Sequence, residues 1–192
     1  QTTVTFSTSV VAPSLTPSNN TQTITYPSAI TTVTVTNSGS AATYASSPSL
    51  PSGLTLNTST GSISGTPNAA QSSTSYTITA TNSAGSSSYT FALTVNKANQ
   101  DTLTVSSTTG TTGSALTLTT SGGTGTGNVT YAVSNGTATC TLTGTDQLSV
   151  SADGTCLVTA TKAADTNYNS KSSTQTTVTF STSVVAPSLT PS

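Results

Sequence analysis

The chain has no histidine, arginine, glutamate, methionine or tryptophan, and its whole charged complement is Lys97, Lys162, Lys171, Asp101, Asp146, Asp153 and Asp165. Charged residues make up 4% of its 192 residues, against about 25% in an ordinary globular domain. General acid–base catalysis needs a positioned titratable group near neutral pH, and a chain without His or Glu has almost none to offer. This argues against an ordinary hydrolase or transferase, so no enzyme and no cofactor are expected. Three scattered lysines without arginine cannot neutralise a run of phosphates, which sets nucleic acid aside. No stretch approaches the ~18 apolar residues that cross a bilayer, and no basic amphipathic stretch is present to lie on one. Direct membrane contact is not expected.

What is there instead is hydroxyl: 50 Thr and 35 Ser, or 44% of the chain. Such a composition could describe a disordered, mucin-like stalk, because it buries too little apolar surface to offset ordering entropy. The pattern argues otherwise. Hydrophobic residues, 31% of the total, alternate with Thr and Ser at the period of a half-buried strand. The expected fold class is all-β.

Residues 1–18, QTTVTFSTSVVAPSLTPS, recur letter for letter as residues 175–192, an offset of 174. That is too long for a solenoid unit and accommodates two tandem β-sandwiches of about 87 residues each. The sequence opens on Gln1 inside a strand pattern, with neither Met nor apolar leader, which reads as a window on something longer. The expected division is a closing strand of a preceding copy at 1–10, centred on Val4–Phe6, a first domain at 11–96, a second at 97–183, and the start of the next copy at 184–192. The expected partners are identical copies before and after, in the same chain or a neighbouring one. A strand parted from its sheet carries unpaired N–H and C=O groups that invite pairing. Either a covalent tandem array or head-to-tail donation of an end strand satisfies them. The array is favoured, because the overlap runs past the strand into APSLTPS, which looks like a linker and the start of a domain.

In the first half, strands are expected at 22–26, 31–37, 41–46, 53–56, 62–65, 75–82 and 86–95. Alternation puts Ile24, Tyr26, Val33, Val35, Tyr44, Leu54, Leu56, Ile63, Tyr76, Ile78, Ala80, Tyr89, Phe91, Leu93 and Val95 on the inward side. Pro51-Ser52-Gly53, Ser59-Thr60-Gly61 and Ser83-Ala84-Gly85 supply the turns. SLPSGLTLNTSTGSISGTP, at 49–67, and SYTITATNSAGSSSYTFALTV, at 75–95, then carry a family likeness. This half resembles the bacterial immunoglobulin-like repeat of the dystroglycan-type cadherin-like kind. The resemblance implies an immunoglobulin-like sandwich used as a spacer in large surface proteins. Cadherin-like modules often hold calcium between domains, yet the junction from Asn96 to Asp101 offers one carboxylate, where calcium takes about six to eight oxygens. No metal site is expected.

In the second half, strands are expected at 102–106, 114–120, 128–134, 137–142, 147–150, 155–162 and 174–180. The strings TLTVSSTTGTTGSALTLTTSGGTGTGNVTYAVSNGTATC and GTCLVTATKAADTNYNS resemble a second bacterial immunoglobulin-like repeat. Cys140 and Cys156, the only cysteines, fall on strands expected to be adjacent or facing. An even number in an extracellular-type module points to a disulfide; two buried free thiols are the other reading the residues leave. Two cysteines without histidine cannot complete a zinc site.

The outward positions form hydroxyl ladders, such as Thr77, Thr79 and Thr81, which suit a solvated pleated surface. A flat threonine array binding ice or crystalline polysaccharide lacks aromatic platforms here. A lysine–asparagine crosslink would have to draw on Lys162 or Lys171 near Asp165 and Asn167, whose sequence proximity is the wrong pattern for a bond between distant strands. The sequons at Asn57, Asn128 and Asn135 arise readily in so Thr-rich a chain. The expected role is a structural repeat of a long bacterial extracellular or cell-surface fibre, acting as spacer or filament building block. The alternative is an adhesin segment that binds glycan or another surface.

Overall fold

The computed structural model describes residues 8–183. The expected strand at Val4–Phe6 and the expected start of a next copy at 184–192 lie outside the described residues. All regular elements among the described residues are β-strands, in agreement with the all-β reading. The chain divides into two compact units, Gln1–Ala98 and Asn99–Ser192.

In the first unit, β1 (Leu15–Pro17), β2 (Thr21–Thr25), β3 (Val35–Asn37), β4 (Thr43–Ser47), β5 (Leu54–Leu56), β6 (Ile63–Gly65), β7 (Gln71–Asn82) and β8 (Gly85–Asn96) follow in order. One layer is the sheet β2-β8-β7-β4. The other consists of the pairs β1-β3 and β5-β6, linked where Val33 bridges Ile63. Period-two alternation along β7 and β8 turns Tyr76, Ile78, Ala80, Tyr89, Phe91, Leu93 and Val95 into one buried cluster with Val33, Tyr44 and Ile63. The remaining side chains expected to face inward, Ile24, Tyr26, Val35, Leu54 and Leu56, are half-buried against that cluster. Opposite them, Thr77, Thr79 and Thr81 lie beside Thr90, Ser88 and Ser86 of β8. This gives the outer face its hydroxyl surface.

The second unit contains β9 (Leu103–Val105), β10 (Thr109–Thr111), β11 (Leu116–Thr117), β12 (Thr120–Gly122), β13 (Val129–Asn135), β14 (Cys140–Thr143), β15 (Gln147–Val150), β16 (Gly154–Lys162), β17 (Lys171–Ser172) and β18 (Thr176–Ser181). Its larger sheet runs β10-β18-β16-β13 with β17 beside β16, and β11-β15-β14 and β12-β9 form the rest. Leu103, Leu148, Val158, Val178 and Phe180 are the large side chains at the centre of its core.

Both units begin the same way. A first short strand pairs in one sheet, and the chain then crosses to run parallel to the unit's last strand: β2 beside β8 and β10 beside β18. Alternation does not announce β1, β10 or β17, because two or three residues are too few to display a period. The expected strand at 114–120 is two, β11 and β12, pairing with β15 and β9 respectively. The expected strand at 31–37 keeps ladder pairing only over Val35–Asn37, with Val33 as an isolated bridge.

Candidate functional site

The repeated string finds its structural meaning at the seat of β18. This strand lies between β16, antiparallel, and β10, parallel. Val178 and Phe180 point inward and are fully buried, while Thr177 and Thr179 are exposed. Phe180 has glycine opposite it on both neighbours, Gly154 on β16 and Gly110 on β10. A Cβ at Gly110 would press into the Phe180 ring, so the missing side chain is what makes room for the aromatic. Backbone bonds continue the parallel pairing at both ends, from Thr179 N to the Thr108 carbonyl at 2.9 Å and from Thr112 N to the Ser181 carbonyl at 3.1 Å.

Asp153 fastens the exit of this strand. Its carboxylate accepts from Thr112 Oγ1 at 2.5 Å and from Thr182 Oγ1 at 3.2 Å. Bonding to Thr112, then to Thr182, holds its pKa below the usual carboxylate value. Thr182 is the counterpart of Thr8 in the earlier copy of the string. In that copy the chain is fastened to the first unit from Val11 onward. Val11 N donates to Ser40 Oγ at 3.0 Å, and the Val11 carbonyl accepts from Asn82 Nδ2 at 2.8 Å. Pro13 is buried, and β1 pairs with β3. Between the position tied to a second unit and the position tied to a first, the string contains only Ser9 and Val10. Val10 and Val11, 47% and 56% exposed, are the large hydrophobic side chains left open to solvent among the described residues.

Cys140 and Cys156 form a disulfide with Cα atoms 5.9 Å apart. Cys140 lies on β14 and Cys156 on β16, so the bond staples one sheet of the second unit to the other. Cys156 is fully buried in the core beside Val178 of β18.

Two polar clamps escaped the sequence reading. Gln22, at an inward position of β2, donates from Nε2 to the Thr31 carbonyl at 2.7 Å and accepts from Thr31 N at 2.9 Å. Gln100 donates to the carbonyls of Ala163 and Asn169 at 3.1 and 2.9 Å and accepts from Gly125 N. Both are buried, and a glutamine in the apolar phase of a strand was the only signal for the first. Asp165 accepts from Thr126 N at 2.6 Å and from the amides of Asn167 and Tyr168. These bonds, Thr126 first, bring its pKa down to about 2. Lys162 Nζ donates to the Gly123 carbonyl at 3.2 Å. Among the described residues no cluster of three or more His, Cys, Asp or Glu could hold a metal. Open depressions among the described residues include two. One of about 350 Å³ is bounded by Gly113, Thr139, Thr141, Ser149, Val150 and Ser151. The other, of about 300 Å³, lies by Gln71, Ser72, Thr94 and Asn96. Neither has an aromatic wall.

Comparison with curated proteins gives no match. Among solved structures the chain is similar to human protocadherin-24 EC1-2, at 13% identity and a TM-score of 0.42, covering 93% of this chain and 100% of that one. It is similar also to Drosophila N-cadherin EC1-4, at 14% identity and a TM-score of 0.45, covering 90% of this chain and 50% of that one. A third is BT4661, a SusE-like surface-located polysaccharide-binding protein of Bacteroides thetaiotaomicron, at 17% identity and a TM-score of 0.36, covering 86% and 34%. The family described as Putative Ig domain matches residues 3–96, a stretch that contains strands β1–β8 of the two-layered first unit with its buried core, and it is this part of the chain that is similar to that family.

Proposed function

We propose that this chain is one period of a long bacterial extracellular or cell-surface protein, in which pairs of immunoglobulin-like units repeat as spacers or filament building blocks and perform no catalysis. The observation that carries the reading is the placement of the repeated string. Its first part is the last strand of a second unit and its last part is the first strand of a first unit, at an offset of 174 residues. On this reading one copy continues into the next through the shared string. The three Cα steps from Thr8 to Val11 span at most about 11 Å, a short tether between anchored points. Exposed Val10 and Val11 sit on that tether. The disulfide suits an oxidising, extracellular setting.

The glycan-binding alternative has less support, since the hydroxyl-lined depressions lack the aromatic surface on which sugars stack. The test is electron microscopy and intact mass of native material. Beaded threads with two beads per period, and a mass of many periods, are the expected result; single globular particles of one period's mass overturn it.

A further inference from the structure

The seat of β18 recognises a strand by features that residues 2–7 share in full. Thr2-Thr3-Val4-Thr5-Phe6-Ser7 has the same letters as Thr176-Thr177-Val178-Thr179-Phe180-Ser181, and Thr8 repeats Thr182. What the seat reads is two inward side chains two residues apart, Val178 and Phe180, with glycine on both strands flanking the aromatic. It also reads a backbone ladder on either side and, beyond the strand, a threonine hydroxyl that meets Asp153. Nothing in that description distinguishes the strand's own copy from an identical one.

We propose that the groove between β10 and β16 is a docking site for residues 2–8 of a second copy of this chain, so that copies join head to tail by strand exchange. The inference deepens the tandem reading by naming the partner surface and rests on the same repeat. The ladder supplies affinity and the Val and Phe pockets supply register, as in other strand additions to a sheet. In the intact chain the tethered β18 competes at an effective concentration on the order of millimolar. The site is thus closed at micromolar protein and opens when β18 is lost.

The test removes the competitor and keeps the groove. An acceptor chain, Phe6→Asp/Phe180→Asp, has neither its own closing strand nor a spare. It is mixed with unaltered chain as donor, or with Phe6→Asp, whose single good strand is engaged in its own fold. Native mass spectrometry and hydrogen exchange at Gly154–Val158 report the result. Expected is a one-to-one complex with the unaltered donor, with protection regained in the acceptor, and at least a tenfold loss of complex with Phe6→Asp. No complex with the unaltered donor, or equal complex with both donors, overturns the proposal. Because the acceptor's second unit is open until the donor arrives, the measurement is repeated with the milder acceptor Phe6→Ala/Phe180→Ala, and the same outcomes decide. Phe180→Asp alone offers both seat and spare strand; it should form oligomers that grow with concentration, and a refolded monomer would overturn the second copy as partner. Failed complementation alongside beaded native threads removes strand exchange and leaves the tandem array standing.

Discussion

Breaking the Cys140–Cys156 bond should destabilise the second unit and leave the first as it was. The two cysteines are 16 residues apart, and closing a loop of that size removes unfolded-state entropy worth about 3 kcal/mol. For a domain of this length each kcal/mol moves the melting temperature by about 4–8 °C, so reduction should lower that of the second unit by about 12–24 °C. Reduction is a cleaner perturbation than Cys→Ala at both positions. Cys156 is fully buried, and alanine there would add a cavity penalty to the entropic one, whereas two thiols keep the volume filled. The assay is calorimetry of oxidised and reduced protein, with hydrogen exchange assigning each transition: Tyr76–Val95 for the first unit, Gln147–Val178 for the second. An equal fall in both transitions refutes the division into two independently stabilised units. A fall of less than about 4 °C in the second would show that the bond constrains little in its unfolded state.

Gly110→Ala should destabilise the second unit by about 1–3 kcal/mol, the usual cost of overpacking, because its Cβ meets the Phe180 ring; denaturant titration reads it, and a neutral result would mean that β10 yields freely. Gln22→Ala should cost the first unit about 1–3 kcal/mol by orphaning the Thr31 amide and carbonyl, with no change in the second. Asp165 has a folded pKa of about 2 against about 3.9 unfolded, so its contribution is complete above the unfolded value and is lost as pH falls through the folded one. The melting-temperature gap between the unaltered chain and Asp165→Asn should be constant at neutral pH and shrink progressively from about pH 4 through about pH 2; a gap at pH 2 as large as at neutral pH refutes the assignment.

The first unit's architecture was readable because its long strands repeat the same two-residue period many times. Tyr76, Ile78 and Ala80, then Tyr89, Phe91, Leu93 and Val95, occupy the core at the positions their spacing assigns. What stayed hidden depends on partners distant in sequence. Ile30 is buried but follows a turn, outside any alternation. Leu118 is buried where the chain leaves one sheet for the other, a crossing that looks like one continuous strand in the letters. Cysteine spacing alone left free thiols open, because it does not say that β14 and β16 belong to different sheets. Gly110 reads as an ordinary turn glycine. Only the parallel register of β10 against β18 reveals that it makes room for Phe180.

The identity of the two string copies is stricter than packing requires. Phe180 and Val178 are bounded by the core, and few other side chains would fill their places. Thr177 and Thr179 face solvent, where Ser or Val would serve a strand nearly as well. Yet these positions match as faithfully as the buried ones. On the tandem reading proposed above, the match comes from copying of a period and not from the demands of one groove. Strand exchange then needs no selection for binding of its own, because any array built by copying a period also copies a strand that fits every equivalent seat. On that reading what keeps such copies in place is local: the tethered strand, the staple at Cys156 beside it, and the Asp153 bonds at its exit. Weakening these, and not altering the groove, is what should turn separate copies into joined ones.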